Sequence, residues 1–358
     1  MDGKLGKKYL DNYGKKVKPL LNSYLDSKIR ETTKINKYLA ELLKHIKKLS
    51  LRGKRIRGAL TTLGYEAAGG INHKEILKTS LFIELFHTGI LIHDDFMDND
   101  DFRRGVETIH KHFEFIGKKL SIKSSPSHFG NSMAINAGDI AHFLSFDILS
   151  NSNFPPQYVI EALNLYSKFI TRVVYGQTID ITNISIKRKS KKDILSVLRY
   201  KTAEYTGSLP LLTGAILAGL TDQKRLKNYH NFGLAFGWAF QIQDDILGIY
   251  GKEEKLGKPV GSDLTEGKNT LLQLYLSRYG TQEQKAFQDK VLGNENIAKK
   301  DLLKMQKVLK DSGAYERVVN LGWKYVEMGK SLIPEITKDK KLQKTLESLL
   351  IYMMERVR

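Results

Sequence analysis

The sequence predicts an all-α protein, a single large helical bundle spanning residues 1–358. Three observations carry that expectation. Apolar residues recur at the three- and four-residue spacing of an amphipathic helix nearly from end to end. Proline, which breaks helix interiors, occurs only 7 times. No interior linker is long enough to separate domains. A chain of 358 residues could form two average domains or one large one. The unbroken periodicity favours one.

Composition narrows the function. The chain has no cysteine, which excludes disulfides, thiolate metal sites and cysteine nucleophiles, and fits a cytoplasmic location. A net charge of +19 invites a nucleic-acid partner. The lysines are nevertheless scattered, without the interleaved aromatics of a base-stacking surface, so no nucleic acid is expected. A basic body also attracts anionic substrates and suits peripheral contact with an anionic membrane. Met1-Asp2-Gly3-Lys4 lacks an apolar signal core. The longest nearly uncharged apolar run, Leu209 to Leu220, is shorter than the about 20 residues that span a bilayer, so no transmembrane segment is expected.

Residues 1–50 read as lysine-rich amphipathic helices, such as Lys34 to Leu49. Arg52-Gly53-Lys54-Arg55-Ile56-Arg57-Gly58 follows. Lys54 and Arg57, three apart, would share a face at a helix start, where the helix dipole adds positive potential. That resembles an anion site, although basic triplets are common. His73 to Asp98 then reads as one long helix, with His87 about two turns before Asp94. A lone histidine there is more often a core residue than a ligand. The helix ends in His93-Asp94-Asp95-Phe96-Met97-Asp98, followed by Asn99-Asp100-Asp101-Phe102-Arg103-Arg104-Gly105. Asp94 and Asp98, one turn apart, share a face. Such a group of carboxylates needs a compensating cation, and oxygen-only ligands favour Mg²⁺. Arg103 and Arg104 suit phosphate oxygens. The stretch therefore reads as a diphosphate clamp. Solvated acids at a helix end, or the His-Asp doublet of some phosphohydrolases, are the competing readings.

Residues 117–130 read as a loop, and Asn131 to Leu149 as helix containing Gly138-Asp139. After Pro155-Pro156 a helix runs from about Gln157 to Ile181. Its Gly176-Gln177 and Asp180 suggest a lined cavity or close helix packing. Beyond the basic linker 187–192, the segment Leu195 to Leu220 carries Lys201-Thr202, a cation beside a hydroxyl that suits a phosphate or a plain surface. The apolar helix 227–250 ends in a second acid pair, Gln241-Ile242-Gln243-Asp244-Asp245-Ile246-Leu247-Gly248. A glycine-rich, flexible stretch from Gly257 to Thr270 adds Lys258 and Lys268. From Leu271 to Arg358 the pattern is amphipathic helix without a chemical signal. Two apolar helices thus end in acid pairs roughly 150 residues apart, among more cations than one diphosphate requires. Two anionic head groups fit this supply. No residue is an obvious nucleophile or hydride partner, which points to ionisation of a leaving group.

From about Gly53 to Thr270 the sequence resembles the trans (head-to-tail) isoprenyl diphosphate synthases, geranylgeranyl diphosphate synthases in particular. Asp94-Asp95-Phe96-Met97-Asp98 matches the family's first aspartate-rich motif. Asp244-Asp245-Ile246-Leu247-Gly248 matches the second, except that Gly248 stands where many members have Asp. The glycine-rich stretch with Gly257-Lys258 and Gly261-Ser262-Asp263-Leu264-Thr265-Glu266-Gly267-Lys268-Asn269-Thr270 is also similar. The resemblance implies a helical bundle around a central cavity and a homodimer. It implies that Mg²⁺ is bound by Asp94, Asp98 and Asp244, with Asp95 in support. It assigns the allylic diphosphate to Arg103, Lys201 and Lys258, and the flank of the developing cation to Lys201, Thr202 and Gln241. Isopentenyl diphosphate would lie against Gly53, Lys54, Arg57, His87 and Arg104, and Lys268 would close a lid.

Product length should depend on bulk along the helix before Asp94. Gly89, five positions before it, blocks nothing. Ile90 is four before and Phe86 eight before, so Phe86 is expected to set a floor near the twenty-carbon geranylgeranyl chain, unless a facing helix supplies or omits the floor. Farnesyl or longer products remain alternatives. A terpene cyclase-like enzyme is disfavoured by the second cation set. A non-catalytic synthase subunit is disfavoured by the intact acids, and a basic nucleic-acid-binding protein would betray itself by steeply salt-dependent duplex binding.

Overall fold

The computed structural model describes residues 2–185, 190–251, 260–294 and 296–356. Lys187 and Arg188 of the basic linker, and Gly257 and Lys258 of the glycine-rich stretch, lie outside the described residues. Among the described residues the protein is all-α apart from one two-stranded hairpin, as the periodicity predicts. The chain divides into two compact units, Tyr9–Thr62 with Ile71–Leu163, and Met1–Lys8 with Leu63–Gly70 and Asn164–Arg358. Each carries one of the two acid pairs.

In the first unit, α1 (Lys4–Thr33) buries Leu10, Tyr13, Val17, Leu21 and Leu25, a stripe at helical spacing. Asn36 caps α2 (Lys37–Ser50) by accepting from the Tyr38 amide at 2.7 Å. After α3 (Ile56–Ala67), the helix expected from His73 to Asp98 is divided at Ser80 into α4 (His73–Thr79) and α5 (Leu81–Met97). The Ser80 hydroxyl bonds the Tyr13 hydroxyl of α1 at 2.7 Å. The His73–Met97 stretch is long and apolar enough to cross a membrane, with a mean hydropathy of 1.2, but 67% of its most apolar window is buried within the protein. α6 (Ile109–Lys119) and α7 (Pro126–Ser150) follow. The loop expected over 117–130 shrinks to 120–125, because Ser125 caps α7 and Pro126 suits its first turn. One core joins Leu42, Leu43, Ile46 and Leu49 of α2, Ile92 of α5, Phe113 of α6 and Ala134, Ala137 and Ala141 of α7. The alanines lie one and two turns apart, so α7 presents a smooth face to its neighbours.

The second unit contains most of α8 (Pro156–Ser185), α9 (Lys191–Val197), a π-helical segment Leu198–Ser208 and α10 (Leu209–Leu217). Then come α11 (Gln223–Tyr250), α12 (Ser262–Thr265), α13 (Leu271–Tyr279), α14 (Gln282–Val291), α15 (Lys299–Asp311), α16 (Ala314–Ile336) and α17 (Lys340–Glu355). α11 is the axis, packed on the π segment, α16 and α17. Its glycines make the close approach possible: a Cβ at Gly233 would lie 2.4 Å from the Ser208 Cα, and one at Gly237 would lie 2.4 Å from the Ala203 carbonyl oxygen. Gly176 of α8 meets the Lys201 backbone in the same way. Of the two readings of Gly176-Gln177, Gly176 therefore serves close packing.

Candidate active site

The first acid cluster forms where α5 runs out. Asp94 and Asp95 occupy its last turn and Asp98 is its C-cap, the Asp98 amide donating to the Asp94 carbonyl at 2.8 Å. Asn99, at φ +55°, turns the chain into β1 (Phe102–Arg103), which pairs with β2 (Val106–Glu107). Arg104 and Gly105, at φ +54° and +69°, form the two-residue turn between them. This hairpin points Arg103 back at the acids. Its Nε donates to Asp95 Oδ1, its Nη2 donates to Asp100 Oδ2 at 3.0 Å, and Nη2 lies 3.6 Å from Asp94 Oδ2. Burial opposes the charge on Arg103, but these three carboxylates outweigh it and keep the guanidinium protonated. Asp95 is 1% exposed, and burial pushes its carboxyl up to about 7 despite Arg103.

Beside this cluster the predicted second-anion residues come together. Gly53, at φ +106°, lets Arg104 lie against the backbone: a Cβ there would meet Arg104 Nη1 at 2.5 Å. Arg104 and Arg52 exchange hydrogen bonds with one another's carbonyls at 2.5 and 2.6 Å, and Arg104 Nη2 lies 3.2 Å from His87 Nε2. Burial, then the charges of Arg57, Arg104 and Arg103, hold His87 well below its ordinary value, so it is neutral. Burial likewise lowers Arg104 to about 10. Arg57 is buried on α3, while Lys54 precedes that helix. The shared helical face expected of the pair is therefore replaced by a turn that uses positive φ at Gly53 and Arg55. Glu84 Oε1 accepts from the Gly58 amide at 2.7 Å and supplies the group with a buried acid.

The second cluster lies in the other unit. Asp245 is 5% exposed on α11, accepts from Gln241 Nε2 at 2.7 Å, and is driven well above the usual carboxylate range by burial and then by Asp263. Asp263 of α12 fills the space over Gly248, where a Cβ would lie 2.5 Å from its Oδ2. Thus the acid missing at position 248 is answered by one arriving from the glycine-rich stretch. Lys201, with Thr202 on the π segment, places its Nζ 2.7 Å from Asp180 Oδ2. Lys268 pairs with Glu266, and its amide donates to the Asp263 carbonyl at 2.9 Å. Asp244 pairs at 2.9 Å with Arg356, a partner that sequence reasoning missed because it lies 112 positions away. Lys258 lies outside the described residues.

Both clusters fit a hard cation. Their donors are carboxylate oxygens, and each holds a buried oxygen, Asp95 Oδ2 or Asp245 Oδ2, with no hydrogen-bond partner among the described residues. Residues 36–309 match the sequence model described as polyprenyl synthetase. The chain belongs to that family. This polyprenyl synthetase is 31% identical over 326 residues to the geranylgeranyl diphosphate synthase of Sulfolobus acidocaldarius, covering 88% of this chain and 89% of that one. It is 30% identical to the geranylfarnesyl diphosphate synthase of Aeropyrum pernix, over 86% and 91% of the two chains. The crystal structure of geranylgeranyl pyrophosphate synthase from Corynebacterium glutamicum, complexed with isoprenyl diphosphate and magnesium, superposes with a TM-score of 0.90 at 29% identity, covering 97% of this chain and 99% of that one.

The residues expected to set product length lie on the α5 face toward α7. Phe86 is fully buried and Ile90 half-buried. Gly89 does leave space, and His142 of α7 takes it: a Cβ at Gly89 would sit 2.4 Å from His142 Cδ2. The His142 ring lies 5.1 Å from that of Phe86 and 5.3 Å from that of His93. The facing helix therefore supplies bulk that α5 omits.

Proposed function

We propose that this polyprenyl synthetase joins isopentenyl diphosphate head-to-tail to an allylic diphosphate, with geranylgeranyl diphosphate as its main product. The observation that carries the reading is the pairing of acids with two separate cation groups. Arg103 faces the first acids, while Arg104 and Arg57 form a second cationic group with neutral His87 and Gly53. Asp94, Asp98 and Asp244 would hold Mg²⁺, which when bound would neutralise the departing pyrophosphate. Arg103, Lys201 and Lys258 would take the allylic diphosphate. Their present carboxylate partners, Asp95 for Arg103 and Asp180 for Lys201, hold the cations aimed until an anion arrives. Gly53, Lys54, Arg57, His87 and Arg104 would hold isopentenyl diphosphate, and Thr202 and Gln241 would flank the cation. The allylic C–O bond breaks with its electron pair leaving on pyrophosphate. The isopentenyl double bond then attacks the resulting carbocation, and loss of a proton restores an alkene. Apolar walls exclude the water that would quench the cation.

The enzyme is proposed to be a cytoplasmic homodimer acting as one catalytic domain. Ile135, Phe143 and Phe146, exposed together on α7, support the dimer. Phe86 and His142 are proposed as the floor of the prenyl tail's space.

The test is mass analysis of products from isopentenyl diphosphate, each short allylic primer and Mg²⁺. Twenty-carbon product is expected from the unaltered enzyme, and no consumption of isopentenyl diphosphate would refute the reading. His142→Ala should lengthen the product by at least one five-carbon unit. Phe86→Ala should do the same while costing about 3–5 kcal/mol of stability. Unchanged length in both variants would remove this floor.

A further inference from the structure

Arg356 follows α17 and is buried, although the preceding Glu355 is exposed. Every part of its guanidinium is engaged. Nε donates to the Met353 carbonyl at 3.1 Å, Nη2 donates to the Phe240 carbonyl at 2.6 Å, and Nη1 lies 2.9 Å from Asp244 Oδ1. The group lies 4.2 Å from the centre of the Phe240 ring, and Gln243 Nε2 donates to the Arg356 carbonyl at 2.8 Å. The helix that delivers Arg356 is well anchored. Met354 packs over Gly322 of α16, the Gly3 amide donates to Glu355 at 2.9 Å, and the Gly6 amide donates to Ser348 at 2.8 Å.

An arginine meant only to tie two helix backbones needs the two carbonyls and no acid. The third nitrogen, on a guanidinium that is only 3% exposed, goes instead to a carboxylate that is 41% exposed, so the acid end of the pair faces solvent. Its effect is on orientation. A lone aspartate on a helix surface samples several rotamers. Asp244, with Oδ1 fixed by a guanidinium that is itself fixed at two further points, keeps one. Its Oδ2 is then the oxygen left for a ligand.

Building on the prenyl-transfer reading, we propose that Arg356 is a positioning residue for Asp244, setting the second acid pair for the metal–pyrophosphate complex. The fork matters as well as the charge, because a lysine cannot hold both Phe240 and Asp244. The test is binding of Mn²⁺ with inorganic pyrophosphate, followed by electron paramagnetic resonance without turnover. Arg356→Gln should weaken binding about tenfold, as loss of a ligand's outer partner does, and Arg356→Lys should recover only part of it. Binding within twofold of the unaltered enzyme in Arg356→Gln, even with a lowered melting temperature, would make Arg356 merely structural. Tighter binding would make it a competitor of the metal. Either result overturns the proposal. If the glutamine variant does not fold, full-strength binding by Arg356→Lys overturns it equally. Absence of metal–pyrophosphate binding by the unaltered enzyme would sink the prenyl-transfer reading itself.

Discussion

Position 248 shows how one missing side chain is absorbed. The second acid motif has glycine at its fifth position, and the Asp263 carboxylate occupies the space over it. Gly248→Asp should therefore not improve the enzyme. It would press two carboxylates together beside buried Asp245 and cost roughly 1–3 kcal/mol. Urea denaturation checks this, and a stability equal to or above that of the unaltered protein would contradict it. His142 offers a second residue-level test. Burial, with the neighbouring His93, lowers it to about 4 from an ordinary 6.5. Between those values the unfolded chain binds a proton that the folded chain refuses, so its contribution to stability falls as pH drops from about 6.5 to about 4. His142→Leu keeps the bulk and removes the titration. Relative to the unaltered protein, it should gain roughly 2 kcal/mol between pH 7 and pH 4.5. Parallel pH profiles would show that His142 does not carry this slope. Asp94, Asp95, Asp98 and Asp244 were legible because their spacing is local. Arg356 and His142 were not, since each acts through a residue distant in sequence.

Among the elements, helices were legible and their special turns were not. A π segment keeps the apolar content of an α-helix, so Leu198–Ser208 reads as ordinary helix, although its wider turn aims Lys201 at Asp180. The hairpin was hidden differently. Arg104-Gly105 was read for its charge, whereas its backbone makes a two-residue turn with both φ values positive. The glycines of α11 are contact points, which an apolar helical pattern does not reveal. Gly233→Ala adds a better helix former by about 1 kcal/mol, yet its methyl would overlap the Ser208 backbone. A net loss of about 1–3 kcal/mol is expected. Thermal unfolding decides it, and a raised melting temperature would show that the two backbones part easily.

At the scale of the whole molecule the fold class was legible because nearly all of the chain obeys one period. The division into two units was not. Boundaries fall inside α1, α3 and α8, and the periodicity runs straight through them. The burial of α5 was legible only in part, since an oily helix looks alike in a core and in a bilayer. Within the protein, α7 covers it. A fragment ending at residue 125 should therefore bind lipid vesicles, while the full chain should not do so through this segment. Flotation of the two with neutral liposomes checks the difference, and a fragment that stays at the bottom of the gradient refutes it. During synthesis the ribosome releases α5 before the helix that shelters it. For those seconds the nascent chain displays a stretch that a translocon or a chaperone would recognise, and the speed with which α7 emerges sets how long that hazard lasts.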